Sequence, residues 1–177
     1  MSAATVQVQQ SAIRQYAKQL RLPTLGSQFV KLAEEAARQQ QGYVTYLEAL
    51  PNAEMEERQH NAIGRRIQEA HFPKVKTLDG FHFEEAPHIP AALIRNLAEG
   101  GYLRRSEPVI FPGETGTGKT HLASGLAVEA CRQRKRVRFT TAAEMVNELV
   151  EARNKSELNR VTGRWTRYEL IVIGEMA

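Results

Sequence analysis

The sequence predicts an α/β fold: a parallel sheet covered by helices, preceded by a smaller segment made of helices alone. Three observations carry this. Gly113-Glu114-Thr115-Gly116-Thr117-Gly118-Lys119-Thr120 fits G-x-x-x-x-G-K-[ST], a phosphate-binding loop that must leave a strand and open a helix. Three short runs, Val109-Ile110-Phe111, Arg136-Val137-Arg138-Phe139-Thr140 and Leu170-Ile171-Val172-Ile173, alternate with stretches of helical periodicity, as in a parallel sheet. Residues 1–73 show helical periodicity and no strand pattern.

Each part of the loop has a physical task. The glycines allow a tight turn that brings backbone N–H groups near phosphate oxygens. Lys119 reaches the β- and γ-phosphates of a nucleotide such as ATP, and the Thr120 hydroxyl ligates Mg²⁺. The following helix adds donors and the positive end of its dipole. The whole segment, Gly113, Glu114, Thr115, Gly116, Thr117, Gly118, Lys119 and Thr120, is the candidate nucleotide site, with Thr120 the candidate metal ligand.

Taken in order, residues 1–10 are polar and expected to fray. Ser11 is positioned to cap a helix with Ile13, Tyr16, Ala17 and Leu20 on one face, stopped by Pro23. Thr24 is positioned to cap a second, striped by Leu25, Phe29, Leu32, Ala33 and Ala36 and ended by Gly42. Thr45-x-x-Glu48 reads as a capping box for a third, which Pro51 should kink or delay. Residues 74–87 read as a linker with an aromatic motif, Phe81-x-Phe83. Pro90 opens a helix that Gly100-Gly101 ends. After the loop, Leu122, Ala123, Leu126, Ala127 and Ala130 recur at helical spacing. Thr141-x-x-Glu144 is a capping box for a helix carrying Met145, Val146, Leu149 and Val150, and a weaker helix spans residues 156–165. The expected division is a helical domain over 1–73, the linker over 74–87 and a nucleotide-binding core over 88–177.

Bulk properties bound the functional classes. The 177 residues are 42% hydrophobic and 25% charged, a globular balance. No apolar run approaches a membrane span, and the start lacks signal-peptide features, so a cytoplasmic protein without membrane contact is expected. Cys131, the sole cysteine, should face the core of its helix, and the five histidines lack metal-ligand spacing. The net charge of +4 arises wholly after residue 100, much of it in Arg132, Arg134, Lys135, Arg136 and Arg138. Such a cluster fits nucleic-acid phosphates or a solvated helix C-terminus, and composition alone slightly favours the latter.

The chain resembles the IstB-like ATP-binding proteins, helper ATPases encoded beside transposases in insertion sequences, close to DnaC-type helicase loaders within the AAA+ class. The resemblance is carried by Leu20-Arg21-Leu22-Pro23-Thr24, Phe72-Pro73, Lys76-Thr77-Leu78, Phe81-x-Phe83, residues 113–122, Val128-Glu129-Ala130-Cys131-Arg132, residues 137–144 and residues 167–173. It implies a P-loop NTPase (AAA+) with a three-layer parallel-sheet core. It also implies ATP-dependent assembly of copies on double-stranded DNA, engagement of a transposase, and DNA contacts for the basic cluster or the N-terminal helices.

The sequence departs from the family pattern in three places. Glu114 stands where the loop usually has proline or a small residue, and Pro112 where the strand is aliphatic. The acidic pair after the last strand reads Gly174-Glu175: Glu175 matches the catalytic glutamate, but Gly174 replaces the aspartate that helps hold Mg²⁺. The family pattern continues past residue 177, through two strands, a sensor residue and an arginine finger, so the resemblance implies an incomplete core with impaired hydrolysis. The alternative is a non-hydrolysing nucleotide- and DNA-binding remnant of a decayed insertion-sequence gene. A small-molecule kinase fits the linker and Phe139-Thr140-Thr141-Ala142-Ala143-Glu144 poorly.

Overall fold

A computed structural model describes residues 3–174. The chain divides into two compact units, one up to Asn61 and one from Ala62 onward.

The first unit is helical. It contains α1 (Ala3–Gln19), α2 (Pro23–Arg38) and the start of α3 (Tyr43–Glu69). Helix α1 begins eight residues ahead of the expected Ser11 cap: no glycine or proline precedes Pro23, and the Ala- and Gln-rich start favours helix over fraying. Gly26 lets α1 and α2 approach, since a Cβ there would lie 3.0 Å from that of Ala17. Phe29 and Ala36 of α2 are buried with Ala17, and the Arg14 guanidinium sits 5.7 Å over the Phe29 ring.

Two expected helix starts are corrected. Pro23 itself takes the first position of α2, after Leu22, so Thr24 lies inside the helix and its side chain does not cap it. The cap comes from thirty residues away. The buried Glu54 carboxylate accepts the Thr24 N–H at 2.9 Å and the Leu25 N–H at 3.0 Å, and Arg58 Nε donates to it at 2.9 Å. Burial acts to raise the Glu54 pKa, but these bonds prevail and hold it below the ordinary carboxylate value. Helix α3 opens at Tyr43, not at Thr45, and passes through Pro51 without interruption. Pro51 is solvent-exposed, and its position forfeits one backbone hydrogen bond of a helix 27 residues long.

The second unit holds the end of α3, α4 (Ala91–Ala98), α5 (Gly101–Arg105), α6 (Lys119–Arg132), β1 (Val137–Thr141), α7 (Ala142–Asn154), α8 (Leu158–Trp165) and β2 (Leu170–Gly174). Helix α6 is its centre. One face packs Ala127, Ala130 and Cys131 against Ala70, Val137, Leu170 and Val172. The other packs Leu122 and Leu126 against Ile94, Leu78, Phe81 and Phe111. Cys131 is fully buried as expected, and burial pushes its thiol up to about 11. The Thr141–Glu144 capping box opens α7, both reciprocal bonds being present. Gly100 sits in the left-handed region between α4 and α5 at φ 75°.

The sheet described is small. β1 and β2 run parallel, with Val137 opposite Leu170 and Thr141 opposite Gly174. The strand expected at Val109-Ile110-Phe111 is absent: residues 107–114 run without ladder partners, and Ile110 is 81% exposed. A strand needs a neighbour, and none of the described residues supplies one here. Pro108 and Pro112 also remove two donors from the stretch. The architecture is thus mostly helical with a two-stranded parallel sheet.

Candidate functional site

The loop of residues 113–118 lies between the segment that failed to become a strand and the first turn of α6. Its three glycines all take positive φ: 148° at Gly113, 85° at Gly116 and 85° at Gly118. Gly118 precedes the helix, so Lys119 is the first residue of α6 and Thr120 the second. The Lys119 ammonium turns back into the loop, donating to the Gly113 carbonyl at 2.7 Å and the Glu114 carbonyl at 2.5 Å. The Thr117 hydroxyl donates to the same Glu114 carbonyl at 2.8 Å. An incoming anion would compete for the ammonium with these carbonyls and would meet the N–H groups of the α6 start. The Thr120 hydroxyl is exposed beside them, as is Glu114.

Residues 77–83 strap this turn from outside. A Cβ at Gly118 would come within 2.7 Å of the Phe81 ring, and one at Gly125 within 2.5 Å of Leu78, so both glycines allow close approach. Phe81 meets His121 edge to face at 5.2 Å. His121 Nε2 lies 2.9 Å from the Thr77 carbonyl, which can only accept, so that nitrogen carries the proton. Sequence reasoning noticed the aromatic motif but not its seat on the loop. The available signal was Gly118 and Gly125, two glycines on one side of a helix start, each a place for a neighbour.

A cleft of about 860 Å³ opens beside the loop, between residues 107–113 and the outer edge of β2. It is lined by Lys119 and Thr120 at one end and by Ile110, Phe139, Ile171 and Ile173 along its walls. Gly174 lies on this cleft, at the C-terminal end of β2. Glu175, the candidate catalytic glutamate, lies outside the described residues.

The basic cluster sits at the other end of α6. That helix has 14 residues, about 20 Å of rise, so Arg132 and the loop are at opposite poles. Much of the cluster is paired: Arg132 with Glu129 at 2.6 Å, and Lys135 with Glu169 at 2.8 Å. The Lys135 ammonium and the Arg136 N–H together hold the Glu169 carboxyl below its usual range. No group of three or more His, Cys, Asp or Glu among the described residues could hold a metal, and no described helix is long and apolar enough to cross a membrane.

A glycine turn that delivers a lysine at the first position of a helix, beside the C-terminal end of a parallel strand pair, defines a P-loop protein. The family follows from comparison: over residues 15–177 the chain matches the IstB-like ATP binding protein family, and it belongs to that family. It is 31% identical over 159 residues to a candidate insertion-sequence ATP-binding protein of Sinorhizobium fredii, covering 89% of this chain and 53% of that one. It is 31% identical over 164 residues to the candidate ATP-binding protein of insertion sequence IS5376 from Geobacillus stearothermophilus, covering 93% and 65%. A shorter match, 41% over 70 residues, covers 38% of this chain and 14% of the chromosomal replication initiator DnaA of Caulobacter vibrioides, which fits the AAA+ relation. The chain spans between half and two thirds of the length of these two insertion-sequence relatives.

Proposed function

We propose that this chain binds ATP at residues 113–120 and serves insertion-sequence transposition as a helper. In this reading it works in the cytoplasm on double-stranded DNA, together with a transposase and further copies of itself. One observation supports it above the others: Lys119 heads α6 with its ammonium inside the glycine loop, poised to exchange two carbonyls for phosphate oxygens. The helical residues 1–73 and the basic end of α6 are the DNA-facing elements, residues 74–87 link the former to the core, and residues 88–177 form the nucleotide core, a part of the three-layer AAA+ sheet. Glu175 is the residue for positioning the attacking water. Thr120 offers its hydroxyl to a Mg²⁺ carried by the nucleotide.

Lys119→Ala should weaken ATP binding about 10- to 100-fold, the value of one or two charge-assisted hydrogen bonds. Titration of both proteins with a fluorescent ATP analogue measures this, and equal affinities would refute the site.

The DNA part carries its own test. Binding to duplex DNA should be independent of sequence and fall steeply with salt, because each neutralised phosphate releases counterions. Replacing Arg134, Lys135 and Arg136 by alanine should flatten the logarithmic salt slope by about two to three. An unchanged slope would move the contact to the helices before residue 73.

The second reading, a nucleotide- and DNA-binding protein that does not hydrolyse, is favoured by Gly174. That position offers no carboxylate where the resemblance puts a metal-holding aspartate.

A further inference from the structure

Nucleotide sites of this kind are expected to share Mg²⁺ between the phosphates and the protein. The ion demands near-octahedral oxygen coordination, parts with water reluctantly, and is retained through one or two carboxylates besides the phosphates. Among the described residues the donor set does not meet that demand: Glu114, the one carboxylate of the loop, is exposed and does not line the cleft. Thr120 offers a neutral hydroxyl. Glu144, in the first turn of α7 after β1, is committed to its capping box: its carboxylate accepts the Thr141 N–H at 3.0 Å and the Thr140 hydroxyl at 3.1 Å. Gly174 has no side chain, and the place where one would stand is filled. A Cβ built there lies 2.9 and 3.0 Å from the edge of the Phe139 ring. Phe139 is buried and its ring packs against that of Phe72, their centroids 5.9 Å apart. A carboxylate at 174 therefore cannot be added without displacing a packed aromatic ring.

We infer that the loop takes a nucleoside triphosphate as the metal-free polyanion about as tightly as its Mg²⁺ complex, and that Phe139 is the residue barring a metal-holding side chain at position 174. The affinity resides in Lys119 and the N–H groups of the loop and the α6 start. These interact with phosphate oxygens directly, and removing Mg²⁺ exposes more negative charge to them. The inference rests on nucleotide binding at residues 113–120 but goes further, since that binding alone is compatible with strict dependence on Mg²⁺.

The test is titration of the full chain with ATP by calorimetry, once with excess Mg²⁺ and once with EDTA, for the wild type, Gly174→Asp, and Gly174→Asp combined with Phe139→Leu. The wild-type dissociation constants should agree within about threefold, under 1 kcal/mol. Gly174→Asp alone should stay insensitive to Mg²⁺ and melt at a lower temperature than the wild type. The double variant, with a smaller side chain at 139, should acquire a preference for Mg²⁺–ATP of about tenfold. A wild-type affinity that falls tenfold or more in EDTA overturns the inference and leaves the nucleotide site standing. Absence of ATP binding in both buffers overturns the inference and the site together. A Mg²⁺ preference acquired by Gly174→Asp alone, with its melting temperature unchanged, shows that Phe139 bars nothing.

Discussion

Purified protein mixed with ATP, Mg²⁺ and duplex DNA should release phosphate no faster than a protein-free control. Phosphoryl transfer in P-loop proteins depends on positioning and on stabilising charge, and little else. Two features of this structure bear on that apparatus. Position 174 provides no carboxylate for a metal, and one missing preorganised group costs about 10²–10³ in rate. Residues 107–112, which lead into the loop, are not fixed by a sheet. A displacement of about 1 Å at a reacting group can cost a further 10²-fold. Together these place turnover about 10⁴-fold or more below a competent enzyme. Gly174→Asp should not restore it, because its side chain meets Phe139 and because the entry segment stays unpaired. Turnover should return when Gly174→Asp and Phe139→Leu together are joined to the segment by which one of the longer relatives extends past its match. The assay is steady-state phosphate release by each protein with and without DNA. Steady turnover by the unmodified chain, lost in Lys119→Ala, would mean that the chemistry does not need position 174.

What could be read from the sequence divides by the range of the interaction involved. Features set within a few residues were legible. The Thr141–Glu144 box, the left-handed Gly100, the loop glycines and the helical spacing that buries Leu122, Leu126 and Cys131 are each fixed by local stereochemistry or periodicity. Features needing a distant partner were not. Val109-Ile110-Phe111 has the composition of a strand, yet composition cannot supply the neighbouring ladder. The run lines the cleft instead, with Ile110 exposed and Phe111 packed toward α6. The seat of Phe81 on Gly118, and the blocking of position 174 by Phe139, are contacts over 37 and 35 residues, with no local signature. The loop itself was legible because its chemistry lies within eight consecutive residues. How Phe139 fills the space beside Gly174 was not.

The cap on α2 belongs to the same long-range class and leads to a stability prediction. Glu54→Ala should destabilise the helical unit by about 2–4 kcal/mol, because it strands partners that are costly to leave unpaired. The Thr24 and Leu25 N–H groups lose their acceptor at the start of α2, where the helix itself provides none. Arg58 loses its counter-charge while keeping its bond to the Arg21 carbonyl. Glu54→Gln keeps one acceptor oxygen but not the charge, so its loss should be smaller, about 1–2 kcal/mol. The pH dependence fixes the cause. The folded-state pKa of Glu54 is depressed, so its contribution is fully present above the unfolded value, 4.5, and is lost as pH falls through the lower folded value. Urea unfolding followed by helical circular dichroism, at pH 7 and at steps below pH 4.5, gives both quantities. The wild type should lose stability relative to Glu54→Gln as the pH drops, until the two curves approach each other. If Glu54→Ala unfolds at the wild-type urea concentration at pH 7, the buried carboxylate is not what holds α2 to α3.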